Sequence, residues 1–63
     1  MITNYNIEIA TTPESFDNIP MYFWCLIQNV DGLKSNTGHG WAKSVELAAT
    51  AAYDYYLNTQ RTN

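Results

Sequence analysis

Sixty-three residues with one cysteine and one histidine make a single small domain, residues 1–63, that has no internal disulfide and too few soft ligands for a metal site. Six acidic residues against three basic ones, a net charge of -3, argue against non-specific nucleic-acid binding, which draws its affinity from clustered lysine and arginine. A chain this short buries only about 60% of its unfolded surface, and with disulfide and metal excluded the remaining support is oligomerisation, so a homodimer is expected.

The start, MITNYNIEIATT, has neither the basic region nor the apolar run of a secretory signal. The longest apolar run, MYFWCLI, falls far below the roughly 20 residues that cross a bilayer. The expectation is a cytoplasmic protein with Cys25 as a free thiol and no membrane contact. The many Asn and Thr residues fit the nucleotide bias of a phage or mobile element.

Tyr5 to Ile9 alternates, with Tyr5, Ile7 and Ile9 on one face and Asn6 and Glu8 on the other, which predicts a half-buried strand. Thr11 to Ser15 reads as a stop and a helical turn, with Thr12 as cap and Pro13 in the first position, ending before Pro20. Met21 to Val30, MYFWCLIQNV, is the strongest strand, dense in aromatic and β-branched residues. Asp31-Gly32 predicts a tight hairpin, and a third strand returns through Leu33 to about Ala42, weakened by Gly38 and Gly40. From Ser44 the period becomes helical. Ser44 suits the N-cap, Glu46 the first turn, and Glu46, Thr50, Asp54 and Asn58 form a polar stripe. Val45, Ala48, Ala49, Ala52, Tyr55 and Tyr56 lie opposite, and the tail NTQRTN is expected to fray. The predicted fold is α+β: a three-stranded antiparallel sheet with one C-terminal helix on one face (β-β-β-α).

One helix covers one face of a sheet, and the other face should then be polar. The long strand contradicts that pattern. Its two registers, Met21, Phe23, Cys25, Ile27 and Tyr22, Trp24, Leu26, Gln28, are both apolar in their first three members. With the first register under the helix, Tyr22, Trp24 and Leu26 face outward as a partner-binding or dimerisation surface; reversal leaves the same surplus. Trp41 joins the candidate surface, unless it packs on the helix start or beside Trp24. Leu47 and Leu57, next to the polar stripe, add to it. Three occupants of the second face remain open: the segment Pro13 to Pro20 with Phe16, a second copy, or a different partner.

Chemistry is sparse. GHGWAKS has the lysine and hydroxyl of a phosphate loop, but Ala42 stands where that motif has glycine. Lys43 and Ser44 at the helix start remain a possible anion site of an unspecific kind. His39 lies between glycines with no evident nucleophile or orienting group, and Cys25 in mid-strand reads as a small buried hydrophobe. No catalytic residue and no cofactor is expected.

GHGWAKSVELAATAA resembles the end of a double-stranded-RNA-binding domain, with Gly38, Gly40, Ala42 and Lys43 on its pattern and Ser44 in place of its second lysine. That likeness implies the same β-β-β-α order. The chain from Tyr5 to Leu57 also resembles HicB-like antitoxin domains, with Ser44-Val45-Glu46-Leu47-Ala48 at the helix start, Ala52 within it and Tyr56-Leu57 at its end. This second likeness implies a module that binds and blocks a partner protein. The function expected is a non-enzymatic protein-binding module, antitoxin-like or a phage-encoded anti-defence inhibitor, acting as a homodimer. The alternative is nucleic-acid binding on an aromatic sheet face.

Overall fold

The computed structural model describes residues 3–61. It has an antiparallel sheet of four strands, β1 (Thr3–Ile9), β2 (Glu14–Phe16), β3 (Ile19–Val30) and β4 (Leu33–Ala42), followed by one helix, α1 (Val45–Arg61). The α+β class, the antiparallel pairing and the C-terminal helix agree with the sequence reading; the sheet has one strand more.

The additional strand corrects the expected helical turn at Thr11 to Ser15. Asp17 and Asn18 adopt φ of 53° and 65°, the paired positive angles of a two-residue hairpin turn, which Asp and Asn tolerate better than most residues. The turn sets Phe16 opposite Ile19 and Glu14 opposite Met21. It also lets β3 begin at Ile19, two residues before the predicted start. Pro20 fits within that strand for a physical reason. Backbone groups alternate sides along β3: the Phe23 carbonyl accepts from Ala10 on the β1 side, and the Leu26 carbonyl accepts from Thr37 on the β4 side. Pro20 therefore turns its nitrogen toward the β4 side, where the ladder stops at Tyr22 opposite Ala42. No pairing is lost.

β3 is the central strand, paired with β1 from Trp24 to Val30 and with β4 from Tyr22 to Val30. Asp31 and Gly32, with φ of 52° and 89°, close the predicted β3–β4 hairpin, and Asn29 Oδ1 accepts from the Gly32 N–H at 2.9 Å. The register slips between Leu26 opposite Gly38 and Ile27 opposite Asn36, leaving Thr37 as a bulge. Its hydroxyl donates to the Leu26 carbonyl at 3.1 Å, and its carbonyl accepts from the Tyr55 hydroxyl at 2.8 Å. The bulge is thereby tied to the helix.

Ser44 caps α1 as expected, its Oγ accepting from the Leu47 N–H at 3.0 Å. The helix continues to Arg61, so residues 58–61 of the tail expected to fray are helical, with the Thr59 hydroxyl donating to the Tyr55 carbonyl at 2.9 Å; residues 62 and 63 lie outside the described part. Glu46, Thr50, Asp54 and Asn58 are all exposed, as their stripe predicts. Ala48 and Ala52 are fully buried against Trp24, with Ile9, Tyr22, Ala42 and Ala51 around them. Ala49, placed on the sheet side by the sequence pattern, is exposed instead.

Candidate protein-binding face

Strand parity divides the sheet. Ile9 opposite Trp24, Ile7 opposite Leu26 and Tyr5 opposite Gln28 share the face that meets α1. Trp24 retains 6% exposure and Leu26 none. The helix thus covers the register that the sequence reading had set outward, which corrects the placement of Tyr22, Trp24 and Leu26: the first is half-buried and the other two are core.

Glycine decides which register lies inside. Gly40 faces Trp24 and Gly38 faces Leu26 across the ladder. A Cβ on Gly40 would come within 2.7 Å of the Trp24 indole, and one on Gly38 would collide with the Tyr55 ring. Both aromatic rings lie where β4 has no side chains, and the helix alanines close over them. Trp24 and Tyr55 are neighbours there, with centroids 5.9 Å apart.

The opposite face carries Met21, Phe23, Cys25 and Ile27 from β3, Glu14 and Phe16 from β2, Asn6 and Glu8 from β1, and Lys34, Asn36, His39 and Trp41 from β4, as their pairings require. Among the described residues no element covers it. Trp41 packs edge-on between Phe16 and Phe23, at centroid distances of 5.0 and 5.1 Å. Phe23 also lies 6.0 Å from His39. Trp41 therefore neither pins the helix start nor joins Trp24, which lies on the other side of the sheet. The β2–β3 turn brings Phe16 over one corner of this face, but Phe16 keeps 47% exposure, Ile19 45% and Trp41 40%. The segment Pro13 to Pro20 accordingly shields a corner and leaves the face open. An apolar groove of about 420 Å³ runs along that corner, lined by Phe16, Asp17, Ile19, Met21, Trp41 and Lys43.

Of the remaining candidates, Leu47 is 55% exposed and Leu57 half-buried; both are on α1, away from the open face. Lys43 and Ser44 are separated in role. Ser44 caps the helix, whereas Lys43 borders the apolar groove.

Glu8, Cys25 and His39 form one cross-strand row on the open face, an arrangement invisible in the linear order. Burial, and secondly the Glu8 carboxylate, push the Cys25 thiol above its ordinary 9.0, so at neutral pH it keeps its proton and is a weak nucleophile. Among the described residues no group of His, Cys, Asp and Glu could hold a metal ion, and no helix is long and apolar enough to cross a membrane.

The comparisons decide no family. No family model, curated protein or solved structure matches the chain.

Proposed function

We propose that this chain is a small non-enzymatic protein-binding module that inhibits or adapts a partner protein by contact, and that its working surface is the open sheet face. The observation that carries this reading is the uncovered aromatic and aliphatic cluster of Phe16, Ile19, Met21, Phe23 and Trp41. Three of these side chains keep between 40% and 47% exposure, and the buried side chains among the described residues are Trp24, Cys25, Leu26, Ala48 and Ala52. An apolar surface of this kind on so small a domain favours a protein ligand, with the aromatic residues as anchors. Steric blockade suits such a surface, in the manner of an antitoxin or a phage-encoded inhibitor of a defence enzyme, and the likeness to HicB-like domains points the same way. Catalysis has little support, since in the cross-strand row of Glu8, Cys25 and His39 burial and the Glu8 carboxylate favour the protonated thiol.

Nucleic-acid stacking on the same face has a specific obstacle. Among the described residues Glu8, Glu14 and Asp17 border it against Lys34 and Lys43, so phosphates would meet more negative than positive charge.

The test compares tagged wild type with Phe23→Glu in pull-downs from extracts of the host cell. Circular dichroism confirms that the variant stays folded. The variant should lose the proteins that the wild type retains. Identical retained sets would remove the open face as the working surface, and a low-salt gel shift with wild-type protein would move the reading to nucleic acid.

A further inference from the structure

The charges on the open face are sorted. Glu8, Glu14 and Asp17 all belong to β1, β2 and the turn after it, along one edge. Lys34 and Lys43, the two lysines of the whole chain, belong to β4 and the residue after it, along the other. Between them runs the apolar strip from Ile19 through Met21 and Phe23 to Ile27 on β3, with Trp41 beside it. A surface with a negative edge, an apolar centre and a positive edge is complementary to itself under one symmetry operation. A twofold axis between two stacked sheets, parallel to the strands, lays the negative edge of one copy over the positive edge of the other. A twofold axis across the strands would instead oppose like charges.

We infer that the protein covering this face at rest is a second copy of the chain, packed open face to open face about a twofold axis parallel to β3. This rests on the reading of the open face as a protein-binding surface and names its first occupant. In this arrangement Lys43 of one copy lies over Glu14 and Asp17 of the other, because all three sit at the end of the sheet near Met21. Phe23 meets its equivalent near the axis, and Trp41 of one copy lies over the β1–β2 side of the other.

The areas agree with this occupant. The chain exposes 4654 Å², whereas a compact monomer of 7.2 kDa exposes about 4,100 Å². Its radius of gyration is 12.9 Å against about 11 Å for a compact domain of this length. Its thinnest dimension, 15 Å, is one sheet and one helix. Stacking two copies adds the missing layers, sheet on sheet between two outer helices. Three strands about 4.8 Å apart and a β3 of twelve residues give a face on the order of 40 by 14 Å, or roughly 1,200 Å² buried by the pair. That is the lower end of the specific interface range. A dimer of that size is reversible, so a target presenting a better apolar strip displaces one copy. Self-association then shields the face until the target arrives.

The decisive experiment uses charge exchange and sedimentation equilibrium across the micromolar to millimolar range. Wild type should be a concentration-dependent dimer, and Phe23→Glu a monomer. Lys43→Glu alone and Glu14→Lys alone should each dimerise about tenfold more weakly, since each homodimer then opposes like charges twice. An equimolar mixture of the two variants should recover wild-type association, because only the mixed pair restores opposite charges at both ends. A change acting within one chain cannot be rescued by mixing. Wild type that stays monomeric throughout, dimerisation unaffected by Phe23→Glu, or a mixture no better than its components would each overturn the inference. Loss of pull-down by Phe23→Glu in a protein that stays monomeric would leave the partner-binding reading intact and sink only the second copy.

Discussion

Gly38 and Gly40 show how much of this structure rests on atoms that are absent. Each leaves a space on β4 that an aromatic ring fills, Tyr55 over Gly38 and Trp24 over Gly40. The two sites differ in how their rings can yield. Trp24 is 6% exposed and held beneath two fully buried alanines; Tyr55 is 40% exposed at the margin of the helix. Gly40→Ala is therefore expected to destabilise by about 2 kcal/mol, in the range of core overpacking. Gly38→Ala should cost about half of that, because Tyr55 can swing outward and surrender its bond to the Thr37 carbonyl. Urea denaturation orders the two, and in a Tyr55→Ala background the cost at Gly38 should nearly vanish. Equal costs would mean that the Trp24 ring is not confined as its burial implies.

At the level of strands and helix, the contrast between the two hairpins is instructive. Asp31-Gly32 pairs an Asx residue with glycine at φ of 89°; Asp17-Asn18 reaches the same kind of turn with no glycine, at φ of 53° and 65°. A non-glycine residue in the left-handed region carries a cost of about 1 kcal/mol that glycine avoids. Asn18→Gly should consequently stabilise the β2–β3 hairpin, by about 0.5 kcal/mol after the added freedom of the unfolded chain is set against it. Raised amide-exchange protection at Phe16 and Ile19 would report it, and unchanged or lowered protection would show that Asn18 is already at ease. β2 matters beyond its three residues, because it carries Phe16 onto Trp41 and forms one wall of the apolar groove.

For the assembled chain, the controlling quantity is how little apolar surface the fold itself removes from water. One sheet face meets the helix, and among the described residues Leu26 is the only large side chain that is fully buried. Such a core leaves a small stability margin. If the second face is covered by another copy, association adds to folding by mass action. The midpoint of thermal unfolding should then rise by about 5 °C for each tenfold increase in protein concentration. The same series on Phe23→Glu should be flat. A wild-type midpoint independent of concentration would place all of the stability within one chain.

Much of the architecture was legible in the linear order because it is local. The 3.6-residue period after Ser44, the alternation at Tyr5 to Ile9 and the Asp31-Gly32 turn each act over a few residues, and each appears where it was expected. So does the β4 span, Leu33 to Ala42, through Gly38 and Gly40. The short β2 strand was missed because Asp17-Asn18 is a weak turn signal, whereas Thr12-Pro13-Glu14 imitates a helix start. That the long strand carries an apolar surplus could also be read directly, since both registers of MYFWCLIQNV are hydrophobic. Which register faces water could not, because strand periodicity is indifferent to side. That choice was made in three dimensions, where the glycines of β4 and the alanines of α1 admit the Trp24 ring on one face only. The same packing turned Phe23 and Trp41 outward, and with them the two charged edges that make the open face its own complement.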